Sequence, residues 1–367
     1  MRVIMTGGGT GGHIYPAVAI ADEIRRRDEN AEILFVGAEI GMEGDLVPKC
    51  GYEITLIPAD GFNRKKLSTN FVAVKRIVQG TFKVKKIIKE FKPDVVIGTG
   101  GYASAPAIKT AQSMGIPTYI HEQNAFPGMS NKIQEKKARR VFLGFGEAAK
   151  YFKYPEKHVV CGNPVREAFV KADREKAREE LGIKPDEFVL LAFGGSQGAA
   201  RINKAMIEVI KAFNGVKDMK IYLGTGSYYY DIILKEFEDN GIKLEDNISV
   251  MEYIDDMPKY LAASDLMVGR SGALSVAEVT VCGVPAIFVP SPNVTGNHQF
   301  FNAKAVADNG GAIIIEEKDL ENEALITTIH QLKNDRNALK TMAQKSKESA
   351  FPEAVKVIYD NVLSSFK

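Results

Sequence analysis

Short apolar runs alternate along this chain with longer stretches whose apolar positions recur at helical spacing. The first run, residues 2–5, gives way to a glycine-rich turn at residues 7–12 and then to residues 14–24, which are apolar on one face. That order predicts strand, loop, helix. It recurs at residues 188–193 (FVLLAF), 194–198 (GGSQG) and 199–213, where a second unit of the same kind is predicted to begin. Further runs at residues 33–36, 95–97, 118–120, 220–223, 266–268 and 286–289 predict more strands, separated by helical stretches. Such alternation argues for parallel sheets covered by helices on both faces: an α/β chain of two doubly wound domains.

An internal repeat supports the pairing. DVVIGTGGYAS at residues 94–104, then a helix and GIPTYI at 115–120, matches DLMVGRSGALS at 265–275, then a helix and GVPAIF at 283–288. The length, 367 residues, agrees with two domains at roughly 150 residues each. The expected seam is Gly162-Asn163-Pro164, where turn residues follow a strand-like stretch, which gives domains 1–162 and 163–367. Residues 352–366 read as a lone helix, expected to pack back on the first domain.

Composition is that of an ordinary globular protein, 45% hydrophobic and 26% charged. The three cysteines, Cys50, Cys161 and Cys282, stand far apart and imply neither a zinc site nor a disulfide framework. The first residues read as neither a signal peptide nor a membrane span, and no apolar stretch elsewhere is long enough for one. Net charge changes the picture only when divided: residues 1–162 hold 24 Lys and Arg against 16 Asp and Glu (+8), and the remainder 24 against 30 (−6). A basic half points to an anionic partner, whether nucleic acid, anionic lipid or a phosphorylated metabolite. Residues 64–92 concentrate it, with ten basic residues, one acid, and interleaved Phe71, Val74, Val78 and Phe82. Either this segment rests on anionic lipid, or its apolar face packs on the sheet while the lysines reach water.

Candidate chemistry lies at the predicted strand ends. The turn at residues 7–12 offers backbone N–H groups and a helix N-terminus to a phosphate, although it is neither a P-loop nor a dinucleotide GxGxxG; a purely structural turn is the competing reading. The GGSQG turn has the same logic with a hydroxyl, Ser196, added. His13, just after the first turn, is placed to act as a general base or else to orient the loop. His121-Glu122-Gln123-Asn124 follows a predicted strand at the carboxyl edge where open α/β sheets bind ligands; a solvated loop is the alternative. Glu278, near the start of a helix, can accept both hydroxyls of a ribose or merely complement the helix dipole. The five histidines are scattered and no Asp-x-Asp triplet occurs, so no metal is implied.

GGGTGGH, GTGGYASAP, HEQN, GNPVR, GGSQGA, SGALSVAE and GNHQFFNA together resemble, in order and spacing, the MurG family of glycosyltransferases, in glycosyltransferase family 28. The resemblance implies the GT-B fold, two Rossmann-like domains around a cleft. It implies transfer of GlcNAc from UDP-GlcNAc to the 4-hydroxyl of MurNAc in lipid I (undecaprenyl-pyrophosphoryl-MurNAc-pentapeptide), with inversion. The product is lipid II for peptidoglycan synthesis, made without a cofactor at the cytoplasmic face of the bacterial membrane. Carried onto this sequence, it puts Ser196 and its glycines on the donor diphosphate, with Ala273, Leu274 and Ser275 in support and Glu278 on the ribose. Ile254 would meet uracil through its backbone, Arg166 the phosphates and Gln299 the sugar. Thr10, Gly11, Gly12 and Asn124 would reach the sugar or the acceptor diphosphate. His13 is the first choice of base and Glu122 the second.

Three other readings compete. Another GT-B enzyme, either a UDP-GlcNAc 2-epimerase that would need no lipid surface or a different lipid glycosyltransferase, would use the same fold. A dinucleotide-dependent dehydrogenase lacks the acidic residue that should end the second strand. A nucleic-acid-binding module lacks a recognition element, so no nucleic acid is expected.

Overall fold

The computed structural model describes residues 1–60, 70–195, 197–320 and 323–364, with the side chains of 70–72 outside that description. Ser196 and residues 64–69 of the basic segment therefore lie outside the described residues. The chain divides into one compact unit of residues 1–166 with 351–367 and another of 167–350. Asn163 to Arg166 thus go with the first unit, four residues beyond the turn at Gly162.

The first unit is a seven-stranded parallel sheet of β1 (Arg2–Gly7), β2 (Glu32–Ala38), β3 (Glu53–Ile57), β4 (Val95–Gly100), β5 (Thr118–Glu122), β6 (Arg140–Leu143) and β7 (His158–Val160). Their order is β3-β2-β1-β4-β5-β6-β7. Its helices are α1 (Gly11–Arg27), α2 (Glu43–Lys49), α3 (Asn70–Phe91), α4 (Ser104–Ser113) and α5 (Met129–Gln134). Alternation along β1 sorts the two faces. Val3 and Met5 pack with Ile14, Ala17, Ile20 and Ile24 of α1, and Ile4 packs with Val84, Ile88 and Ile108 of α3 and α4.

The second unit repeats the plan with six parallel strands: β8 (Phe188–Phe193), β9 (Met219–Gly224), β10 (Ile248–Met251), β11 (Leu266–Gly269), β12 (Ala286–Phe288) and β13 (Ala312–Ile314). They are ordered β10-β9-β8-β11-β12-β13. Its helices are α6 (Glu167–Val170), α7 (Arg174–Glu180), α8 (Ala200–Phe213), α9 (Ser227–Asp239), α10 (Met257–Ala263), α11 (Ala273–Cys282), α12 (His298–Ala307), α13 (Ala324–Asn334) and α14 (Arg336–Glu348). The last helix, α15 (Ala354–Leu363), returns to the first unit. There Ile358, Tyr359 and Val362 complete the core beneath α1, and Arg27 lies 3.6 Å from Asp360.

Four strands escape the apolar pattern. β3, β10 and β13 lie at or near sheet edges and stay half-buried along much of their length, so water on one side removes the demand for a continuous apolar run. β6 opens on exposed Arg140, which masks three buried residues behind it.

The basic segment divides its apolar residues between two environments. Val84, Ile87 and Ile88 are buried, while Val74, Val78 and Phe82, spaced four apart along α3, stand 48%, 49% and 70% exposed. No helix among the described residues is long and apolar enough to cross a membrane.

Candidate active site

In both sheets the strand order reverses between two central strands, β1 and β4 in the first and β8 and β11 in the second. Open α/β sheets bind ligands beyond the carboxyl ends of such strands. The glycine-rich turns sit at those places because only glycine fits them. A Cβ on Gly7 would stand 2.0 Å from Thr99 Oγ1, one on Gly101 (φ +89°) 2.2 Å from the Gly8 carbonyl, and one on Gly100 (φ +101°) 2.8 Å from the His13 ring. Gly7, Gly100 and Gly101 are therefore glycine for one shared reason, the close approach of the two turns that brings His13 onto the end of β4.

The N–H groups of the first turn are not all open to an anion. Gly8 donates to the Gly100 carbonyl at 3.2 Å and Gly9 to Glu43 Oε2 at 2.8 Å. The other oxygen of Glu43, a fully buried residue, accepts from Ala38 N at 2.8 Å. The donors without a partner among the described residues are those of Thr10, Gly11 and Gly12, where α1 begins and its dipole is positive. The Thr10 hydroxyl does not cap that helix. Glu43 gives no sequence signal, since its role depends on two N–H groups far apart in the chain. Glu43→Gln leaves one oxygen and turns an amide NH₂ toward a backbone donor, so it should destabilise the protein by about 1–3 kcal/mol. Thermal unfolding at neutral pH tests this.

His13 is half-buried, with Nδ1 2.9 Å from the Thr99 carbonyl and 3.1 Å from Gln123 Oε1. Gln123 Nε2 lies 2.9 Å from His121 Nδ1, and His121 Nε2 lies 3.0 Å from the Gly162 carbonyl. Glu122 faces elsewhere. One oxygen accepts from Asn124 N and Nδ2, and the other from Gly128 N at 3.0 Å and Asn131 Nδ2 at 2.9 Å. HEQN is thus no solvated loop: its first three residues are buried, and Asn124 is half-buried. Burial pushes the His121 imidazole down to about 4 from the usual histidine range, outweighing the Gly162 carbonyl. Its folded value is depressed, so the unfolded chain binds the extra proton first. The stability contributed is complete above about pH 6.5 and falls as pH drops toward 4, by about 3 kcal/mol. His121→Asn should flatten this part of the stability profile measured by denaturant unfolding.

Arg166 closes the first unit, exposed, with its guanidinium 5.6 Å from the Tyr15 ring centre on α1.

In the second unit the GGSQG turn leads from β8 into α8. Gln299, Ala273, Leu274 and Ser275 are brought together by ties with no sequence signature: Ser271 Oγ donates to the Gln299 carbonyl at 2.8 Å, and Asn302 Nδ2 to the Ser271 carbonyl at 3.2 Å. Gln299 Oε1 accepts from Ser291 N at 2.8 Å. Ala273 to Ser275 form the first turn of α11; Glu278 stands one turn further along, half-buried. The Ile254 side chain is buried against Gly224, and its own N–H and C=O have no partner among the described residues. A cavity of about 570 Å³ is lined by Arg201, Pro290, Pro292, Asn297, Phe300, Glu316, Glu317 and Lys318. Gln299 neighbours this lining, but no sequence-predicted residue is part of it. Arg270 donates to the Val289 carbonyl and pairs with Glu317. Arg270 and Ser271 occupy the repeat positions of Thr99 and Gly100, a signal that could have marked them.

Two parallel α/β units, each with a glycine turn at its switch point, define the GT-B architecture of glycosyltransferases. The N-terminal domain of glycosyltransferase family 28 matches residues 3–143 and its C-terminal domain residues 189–358. The chain belongs to glycosyltransferase family 28. It is 45% identical, over 100% of its length and 99% of the relative's, to the UDP-N-acetylglucosamine–N-acetylmuramyl-(pentapeptide) pyrophosphoryl-undecaprenol N-acetylglucosamine transferase of Acetivibrio thermocellus. The crystal structure of Acinetobacter baumannii MurG superposes with a TM-score of 0.78 at 30% identity, covering 99% of each chain. The UDP-GlcNAc 2-epimerase of Neisseria meningitidis bound to UDP-GlcNAc, 14% identical with a TM-score of 0.69 over 99% and 100% of the two chains, shares the fold alone.

Proposed function

We propose that this glycosyltransferase moves GlcNAc from UDP-GlcNAc to the 4-hydroxyl of the MurNAc in undecaprenyl-pyrophosphoryl-MurNAc-pentapeptide, giving lipid II. The observation that carries the reading is His13, a half-buried imidazole at a switch point beside three open N–H groups, in a chain 45% identical end to end to a transferase of that name. His13 Nε2 takes the proton of the acceptor hydroxyl as its oxygen bonds to the anomeric carbon and the bond to UDP breaks, which inverts α to β. Glu122, both oxygens engaged, holds the loop from Asn124 to Asn131 rather than serving as base. The N–H groups of Thr10, Gly11 and Gly12 face acceptor-side anionic groups, and Asn124 the sugar. Arg166 and the GGSQG turn with Ser196 answer charge developing on the leaving diphosphate. The backbone of Ile254, without a hydrogen-bond partner among the described residues, suits a uracil edge; Ala273 to Ser275 and Gln299 line the sugar-nucleotide side. Incubation with UDP-GlcNAc and a lipid I analogue should release UDP and form a β-1,4 linkage. UDP release without acceptor, with epimerised sugar, would instead favour the epimerase reading.

Glu278 accepts the ribose hydroxyls. Glu278→Ala should weaken UDP binding about ten- to hundredfold, and wild-type affinity by calorimetry would remove the role.

The enzyme works peripherally at the cytoplasmic membrane face. The exposed stripe of Val74, Val78 and Phe82 on α3, flanked by exposed Lys75, Lys85, Lys86 and Lys89, supports this, as does the +8 charge of residues 1–162.

A further inference from the structure

Three hydrogen bonds connect His13 to the backbone at Gly162 and a fourth ties it to the Thr99 carbonyl, and their donors and acceptors can be assigned from the two carbonyl ends inward. The Thr99 oxygen only accepts, so His13 Nδ1 carries a proton. The Gly162 oxygen only accepts, so His121 Nε2 carries one as well. Buried and neutral, His121 has then a bare Nδ1, which must accept from Gln123. Gln123 Nε2 also points at the His121 carbonyl, 3.3 Å away, which fixes the same amide orientation. Gln123 Oε1 is thereby turned to His13 and shares the Nδ1 proton with Thr99. The main chain of the relay is pinned too, with Asn163 Nδ2 donating to the Gln123 carbonyl at 3.0 Å.

We propose that Gln123 and His121 are positioning residues that hold His13 as its Nδ1–H tautomer, with the Nε2 lone pair turned out as the proton acceptor. The inference rests on the reading of His13 as base and goes beyond it, because a histidine left to itself has no such fixed tautomer. When Nε2 takes the proton, the imidazolium finds its other N–H already on two neutral oxygens, Thr99 O and Gln123 Oε1. Among the described residues no carboxylate plays the part of the aspartate in a Ser-His-Asp triad. Of the ionisable neighbours, Glu122 is turned to its own loop, which leaves neutral His121 at the far end of the relay.

The size of the effect follows from what survives substitution. A triad held in the wrong tautomer loses about 10⁴ in kcat; here the Thr99 carbonyl stays on Nδ1, so a smaller loss is expected. Gln123→Met, similar in volume but without the amide, should lower kcat about ten- to a hundredfold and leave the KM for UDP-GlcNAc within about twofold. Gln123→Glu puts a carboxylate beside the Nδ1 proton. It should move the acid limb of the kcat/KM profile up by about one pH unit or more and recover part of the Met variant's loss above that limb. A merely structural role would move neither. Nitrogen-15 NMR of the histidine-labelled full chain should show Nδ1–H for His13 and Nε2–H for His121. An Nε2–H tautomer at His13, wild-type kcat in Gln123→Met, or an unmoved limb in Gln123→Glu would each overturn the proposal. The base reading fails separately, by wild-type kcat in His13→Ala. If that variant is inactive while His13 is Nε2–H, only the relay is lost.

Discussion

His13→Ala is expected to lower kcat about a hundred- to ten-thousandfold, with the KM for UDP-GlcNAc changed by no more than about twofold. The expectation comes from where the ring stands. Its Nδ1 is occupied by the Thr99 carbonyl and Gln123, and its Nε2 has no partner among the described residues. Alanine removes the proton acceptor and takes a donor from the Thr99 carbonyl and Gln123 Oε1, but leaves the surrounding backbone bonds in place. Helix α1 keeps its start, because the His13 N–H donates to the Thr10 carbonyl whatever the side chain, and the Thr99 hydroxyl still donates to the His13 carbonyl at 2.7 Å. A fall in kcat matched by a fall in thermal stability would mark His13 as a structural plug instead. Steady-state kinetics with thermal unfolding on the same preparation separates the two, and an unchanged kcat would remove His13 as the base.

Gly198→Ala should be strongly destabilising in the second unit. Gly198 has φ +75°, and a Cβ there would stand 2.0 Å from the Thr225 carbonyl and 2.8 Å from the Tyr229 ring. Gly226 faces it from the other side with φ +83°, and its Cβ would lie 2.3 Å from Gly198 N. The turn after β8 and the turn after β9 thus touch backbone to backbone, and neither can recede. Asn203, buried on α8, donates to the same Thr225 carbonyl at 2.9 Å. Left-handed backbone alone costs a non-glycine residue about 1–2 kcal/mol, and forcing two backbones apart adds about 1–3 kcal/mol. A loss of about 3 kcal/mol in unfolding free energy is expected, together with weaker UDP binding as the turn's N–H groups shift. Gly195 supplies the control. Its φ is +94°, yet no atom among the described residues lies within 4 Å of its Cβ, so Gly195→Ala should lose only the conformational part, about 1–2 kcal/mol. Equal losses at 195 and 198 would show that close approach is not what requires glycine there.

The candidate site is partly legible in the amino-acid order alone. His13 stands out just after a glycine turn and HEQN as a polar run at the carboxyl end of an apolar strand, and the strand order then puts both at one sheet edge. Arg270 and Ser271 are marked by the repeat alone, and Asn302 and Arg201 give no signal. They are single polar residues within helical or turn segments, and their parts depend on partners 28 to 47 positions away or on a cavity wall. Glu122 misleads for a related reason. A carboxylate in a polar run looks reactive, whereas its two oxygens are engaged by the loop that follows.

What the sequence by itself determined is the class of the chain and its repetition: buried parallel strands need continuous apolar runs, amphipathic helices need a 3.6-residue period, and both patterns are local. The repeat at residues 94–120 and 265–288 makes the twofold plan visible in the chain itself. Only the tertiary structure decided which residues of α15 enter the core beneath α1, that Glu43 occupies a donor of the glycine turn, and which nitrogen of His13 is bare. Each of these turns on a hydrogen bond or contact between residues far apart in the chain. A proton's place on an imidazole is set by the groups opposite it, and those are neighbours in space alone.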